Sequence, residues 1–146
     1  MKGPNGEDLP DAVLFACTFN AVRSPMAAAI MRHLYGKHAF VESAGVKAGQ
    51  LDPLAVEVLE EIGIDLHTHK PKTFAELEDS SFDLIVSLSP EAHHKALEFT
   101  RVMAVDAEYW ATMDPTAHEG SRDQRLNAYR AVRDTLMKKI KARFAA

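Results

Sequence analysis

Cysteine is nearly absent from this chain: among 146 residues only Cys17 carries a thiol. A lone cysteine cannot close an internal disulfide or supply a multi-thiolate metal centre, so the fold owes nothing to oxidation. A free thiol of this kind suits a reducing, cytoplasmic compartment. Long apolar runs are missing as well. None approaches the ~20 residues of a membrane helix, and the opening Met1–Pro10 lacks the apolar stretch of a signal peptide. Excess positive charge is also lacking. With 17 basic and 21 acidic residues the net charge is -4, which argues against a nucleic-acid or membrane-surface binder. An anionic substrate would therefore need a local positive field. No repeat, low-complexity tract or linker interrupts the sequence, and 47% of it is hydrophobic. That composition predicts one domain over 1–146, with a loose polar lead-in over 1–10.

The seven histidines do not fill the gap left by cysteine. His67 and His69 alternate and His93 and His94 are adjacent, but no pair of histidines four apart encloses a glutamate. No metal and no other cofactor is expected. Lys138, Lys139, Lys141 and Arg143 read as the solvated, dipole-favoured end of a last helix. Tyr109 and Trp110 either wall a substrate cleft or pack down the loop that follows them.

What is present alternates between strand and helix. Ala12–Ala16 is short, apolar and uninterrupted, as in a buried parallel strand. Pro25–Lys37 reads as a helix with Ser24 as its N-cap. Ala39–Ala44 predicts a second strand, Asp52-Pro53 opens a helix to about Ile62, and Thr73–Glu78 predicts a short helix. Phe82–Leu88 is a third strand, Ser89-Pro90 begins a helix to about Phe99, and Arg101–Val105 predicts a fourth strand. The last helix runs from about Glu119 to Arg143. This order predicts an α/β domain with a parallel sheet covered by helices on both faces. Ligands of such sheets bind beyond the carboxyl ends of the strands, and Cys17 stands just past the first.

The segment Cys17-Thr18-Phe19-Asn20-Ala21-Val22-Arg23-Ser24 contains no glycine. A cysteine and an arginine enclose five residues, enough for a loop whose backbone N–H groups turn around a tetrahedral oxyanion. The helix beginning near Ser24 points its positive end at the same place. Arg23 can hold two oxygens in a fork, and the same positive ends suit an attacking thiolate at Cys17. Ser24 can donate a hydrogen bond to that thiolate when it leaves. The alternative is a small buried cysteine beside a solvated arginine. Asp114 follows the fourth strand at the same sheet edge, where a proton donor for the leaving oxygen would stand; Asp-Pro is also a common turn start.

The ordered set Val13–Cys17, Asn20, Arg23–Ala27, Ser43–Gly45, Gly63–Asp65, His69 and Asp114-Pro115 resembles the low-molecular-weight protein tyrosine phosphatases. That fold also hosts one class of arsenate reductases. The resemblance covers nearly the whole chain after the lead-in. It implies a sheet of about four strands with a phosphate-binding loop after the first. It further implies Cys17 as nucleophile, Arg23 as oxyanion clamp, Ser24 as thiolate stabiliser and Asp114 as general acid and then base. Thr18, Phe19, Asn20, Ala21 and Val22 would bind substrate through the loop. Asn20 would take a strained backbone conformation, and Ser43 and His69 would brace the site.

The departures from the family pattern bear on activity. Phe19 stands where the family usually has glycine, and Val22 replaces a frequent second cysteine. The tyrosine pair that usually follows the Asp-Pro is absent; Thr116–Ser121, with Trp110 before and Tyr129–Asp134 after, looks more like the arsenate-reductase branch. The expected activity is hydrolysis of phosphate monoesters, on phosphotyrosine proteins or small phosphate esters, through a phosphocysteine. The rival is arsenate reduction completed by an external thiol such as glutathione or mycothiol, since one cysteine excludes a route through several thiols of one chain. A non-catalytic oxyanion-binding domain is the remaining alternative.

Overall fold

The structure, a computed structural model, describes residues 1–77 and 81–145. Four strands, β1 (Ala12–Cys17), β2 (Phe40–Gly45), β3 (Leu84–Ser87) and β4 (Asp106–Tyr109), form one sheet in the order β2-β1-β3-β4, and every neighbouring pair is parallel. Four helices connect and cover them: α1 (Arg23–Tyr35), α2 (Pro53–Glu60), α3 (Pro90–Thr100) and α4 (Arg122–Phe144). The chain leaves β1 for β2 on one side and later crosses to β3 on the other. The carboxyl end of β1 is thus the point where strand order reverses, and a crevice opens there.

The side-chain period of two assigns the residues of β1 to opposite faces. Val13, Phe15 and Cys17 join the larger core, with Met26 and Ile30 of α1, Leu59 of α2 and Tyr129 and Leu136 of α4. Leu14 and Ala16 join the smaller core with Phe74, Ile85 and Ala92 of α3. Being buried on both faces, β1 reads as a continuous apolar run.

The fourth strand is β4, Asp106–Tyr109, and not Arg101–Val105. Arg101 caps α3, and the amides of Val102 and Met103 still donate to the Phe99 carbonyl. The apolar look of Val102 and Met103 misled, because both are exposed. The true strand is at the sheet edge and half exposed, so its sequence Asp-Ala-Glu-Tyr need not be apolar. The expected helix over Thr73–Glu78 is a 3₁₀ turn, Phe74–Glu76, closed by a capping box between Thr73 and Glu76; Glu78 lies outside the described residues. The last helix begins at Arg122, because Ser121 and Gln124 form a second capping box. The lead-in folds back on itself through a bridge between Lys2 and Asp8, and Met1 packs on the larger core. No described helix is long and apolar enough to cross a membrane.

Candidate active site

The loop between β1 and α1 turns its backbone in one sense. The carbonyls of Cys17, Thr18, Phe19 and Ala21 accept from the amides of Val46 (3.2 Å), Lys47 (2.9 Å), Gly49 (2.9 Å) and Asp52 (3.2 Å). The Asn20 carbonyl accepts from His69 Nε2 at 3.1 Å. Every acceptor from Cys17 to Ala21 is therefore spent on the surrounding chain. The amide donors of Thr18 to Val22 have no protein acceptor among the described residues. A run of unspent N–H donors at a helix start is the chemical form of an anion cradle.

Asn20 makes this turn possible. Its φ is 52°, the one positive value outside glycine among the described residues, and asparagine enters this left-handed region at less cost than most residues. The side chain is fully buried and fully used. Nδ2 donates to Ser24 Oγ (2.8 Å) and Ser43 Oγ (2.9 Å), and Oδ1 accepts from the Lys72 amide (3.0 Å). Gly45, at the end of β2, lets the loop pass: an added Cβ would lie 2.8 Å from the Asn20 nitrogen and 2.9 Å from the Phe19 carbonyl carbon.

Ser24 is not the helix cap. The helix begins at Arg23, and the cap position, Val22, offers no side-chain hydrogen bond. The Ser24 hydroxyl instead turns inward, 2.9 Å from Cys17 Sγ and 3.4 Å from the Ala44 carbonyl that can accept its proton. A hydroxyl has one proton, and the sulfur is the nearer acceptor whenever it is a thiolate. Cys17 itself is almost fully buried.

The Arg23 guanidinium spends one nitrogen, Nη1, on the carbonyls of Thr112 (3.1 Å) and Leu88 (3.4 Å). Nε and Nη2 have no protein partner among the described residues, so the edge that forks an oxyanion is free. Asp114 lies across the same crevice, a cleft of about 50 Å³ lined by Cys17, Phe19, Ala21, Val22, Arg23, Asp114 and Thr116. Asp114 Oδ1 caps the 3₁₀ turn Pro115–Ala117 by accepting from the Thr116 amide (3.0 Å) and hydroxyl (2.7 Å). Oδ2 carries no such bond. Asp114 is thus a turn residue and a cleft residue at once.

Other neighbours were not visible as site residues in the sequence. Thr18 Oγ1 is 3.0 Å from Ser89 Oγ and 3.2 Å from Glu91 Oε2, which ties the loop to the start of α3. Ser89 was legible only as a helix cap. Tyr129 of α4 donates to Asp52 Oδ2 at 2.5 Å, and the Asp52 amide holds Ala21. Burial, then the bond to Asp52, pushes the Tyr129 phenol well above its ordinary pKa. No local pattern announces such a contact between distant segments. His69 is half-buried, and burial holds its imidazole below the ordinary histidine value; since a carbonyl only accepts, His69 Nε2–H donates to the Asn20 carbonyl. Trp110 packs on Phe15 and Phe144 (ring centroids 6.0 and 6.2 Å apart), whereas Tyr109 stays exposed and stacks on His93. Arg143 is not merely solvated: it bonds Glu108 at 2.8 Å.

A four-stranded parallel α/β sheet whose first strand ends in a cysteine and a loop of unspent amides is the architecture of phosphatase-like enzymes. The family model for low molecular weight phosphotyrosine protein phosphatase matches residues 12–146, and the chain belongs to that family. Its relatives carry three named activities: arsenate reductases, tyrosine phosphatases and an arginine phosphatase, YwlE of Geobacillus stearothermophilus, stand among them. An arsenate reductase of Shouchella clausii is 31% identical over 129 residues, 88% of this chain and 91% of that one. A mutant of YwlE from Bacillus subtilis superposes with a TM-score of 0.74 at 27% identity, covering 89% of this chain and 93% of that one. A low molecular weight protein tyrosine phosphatase from T. tengcongensis superposes with a TM-score of 0.73 at 28% identity, over 89% and 95%.

Proposed function

We propose that this protein hydrolyses phosphate monoesters, with phosphotyrosine as the physiological group, through a phosphocysteine on Cys17. The observation that carries this reading is the loop's accounting: its carbonyls are spent outward, while its amides and the Arg23 Nε–Nη2 edge are unspent beside one thiol. The phosphoryl oxygens would accept from these donors, which are fixed before substrate arrives. Cys17 Sγ attacks phosphorus, the bond to the leaving oxygen breaks, and Asp114 gives that oxygen a proton. Water then attacks the phosphocysteine, Asp114 takes a proton from it, and the sulfur leaves as a thiolate that receives the Ser24 hydrogen bond. Phe19, about half exposed at the rim, offers an aromatic face to an aryl ester.

A second reading has support in the sequence relatives. Cys17 would attack arsenate and displace water, and an external thiol would attack the sulfur of the adduct. Arsenic would be reduced from As(V) to As(III), while Cys17 and the external thiol are oxidised to a mixed disulfide. One measurement separates the two: turnover of an aryl phosphate without thiol, against thiol-dependent loss of arsenate. We expect the first to be fast and the second negligible. Arsenate turnover that needs glutathione or mycothiol, with no aryl phosphate hydrolysis, would replace the phosphatase reading.

A further inference from the structure

A second cleft of about 590 Å³ lies behind the loop, between the outer face of α1 and the segment 63–72. It is distinct from the crevice at Cys17, with no lining residue in common. Three permanent cations line it: Arg32 from α1, and Lys70 and Lys72 from the segment. Two carboxylates accompany them. Glu42 is shared, at 2.9 Å from Lys72 and 3.7 Å from Arg32, and one carboxylate cannot neutralise both. Asp65 accepts from the His67 amide, and three cations face two carboxylates in the lining. Lys70 is exposed and has no ion pair among the described residues. The cleft thus keeps a surplus of positive charge on a molecule whose net charge is -4. Its volume is in the range of small-molecule sites.

The same segment supplies two of the contacts that hold Asn20. His69, which lines the cleft, bonds the Asn20 carbonyl, and the Lys72 amide bonds Asn20 Oδ1. A ligand gripped between Arg32 and the two lysines would fix this wall against α1.

We propose that this cleft binds a small phosphate compound with two or more negative charges, and that its binding stiffens the wall that holds Asn20 in the catalytic loop. The grip comes from Lys70 and the part of Arg32 and Lys72 that Glu42 does not satisfy. The binding step does not depend on the chemistry at Cys17, so it stands or falls separately from the phosphatase reading.

The test uses the full chain, with ADP and inorganic pyrophosphate as probes and no turnover measured. Binding is followed by calorimetry and by amide NMR shifts, with orthovanadate present to compete at the Cys17 loop. We expect saturable binding of at least one probe, with the largest shifts at Lys70 and Lys72 and a smaller response at Asn20. Loss of a charged hydrogen-bonding partner predicts about tenfold weaker binding in Lys70→Ala, and weaker still in Lys70→Glu. Lys70 is exposed, so both variants should fold. Absence of binding by both probes would overturn the proposal, as would binding unchanged by Lys70→Glu or a bound state that leaves Asn20 unmoved.

Discussion

Asp114 satisfies a turn with one carboxylate oxygen and keeps the other unspent, among the described residues, at the Cys17 cleft. Its Oδ1 is fixed by Thr116, and that fixation orients Oδ2 without consuming it. If it protonates the leaving oxygen, Asp114→Asn should slow esters in proportion to the basicity of the leaving group. An alkyl phosphate or phosphotyrosine should lose about 10²–10⁴-fold, and a nitrophenyl phosphate much less. Rates of wild type and variant across a leaving-group series check this; identical dependence in both would remove Asp114 from the acid role. At this scale the sequence was informative about residue types and silent about partners. The spacing of Cys17 and Arg23 between a strand and a helix was legible from residue types, whereas the left-handed backbone at Asn20 was expected only from the family resemblance. Ser24 read both as helix cap and as thiolate donor; which of the two it becomes was not legible, because that depends on Asn20 of the same loop and Ala44 of β2 holding the hydroxyl beside Cys17.

Elements place these residues by a few tertiary ties. The strap from Val46 to Asp52 takes four loop carbonyls, and Asp52 is itself anchored by Tyr129 of α4. Tyr129→Phe keeps the ring and removes the hydroxyl. We expect a loss of about 1.5–3 kcal/mol, the range for a hydrogen bond to a charged group, read as a fall of several degrees in Tm. An unchanged Tm would show that the Tyr129–Asp52 bond contributes nothing net. The elements themselves were largely legible, because apolar runs and Asp-Pro or Ser-Pro starts are local signals. The fourth strand was the failure. Its position depends on pairing with β3, Leu84 opposite Asp106 and Ser87 opposite Tyr109, and an edge strand so paired needs no apolar signature.

Across the whole molecule, the α2–α4 contact is closed by charge at its outer edge. Glu61 accepts from Arg130 at 2.6 Å and from Arg133 at 2.8 Å. Its hydrogen bond from Arg130, then that from Arg133, holds the carboxyl down at about 2, below its ordinary value of 4.5. A depressed acid stabilises the folded state above its unfolded pKa, and that contribution fades as pH falls through the folded value. Wild type should therefore exceed Glu61→Gln in denaturant stability above about pH 4.5, and the gap should close as pH approaches 2. Salt should narrow it, since the pair is solvent-facing. A gap that persists unchanged to pH 2 would rule out the ion pair as its source. The parallel sheet, and Cys17 at the carboxyl end of its first strand, were legible from the alternation of elements; the strand order that makes this end a switch point was not. The charged cleft behind the loop was not, because α1, β2 and the segment 63–72 meet only in the folded chain.

On the proposed mechanism, Cys17 becomes covalently phosphorylated during turnover. Rapid quenching of Asp114→Asn during nitrophenyl phosphate hydrolysis, followed by peptide mass spectrometry, checks this: that leaving group needs little protonation, so the variant should slow the water attack that clears the intermediate more than the step that forms it. One phosphoryl group is expected on the peptide that contains Cys17, and none in Cys17→Ser. Turnover with no phosphoryl group on the enzyme, or with the group on another residue, would contradict it.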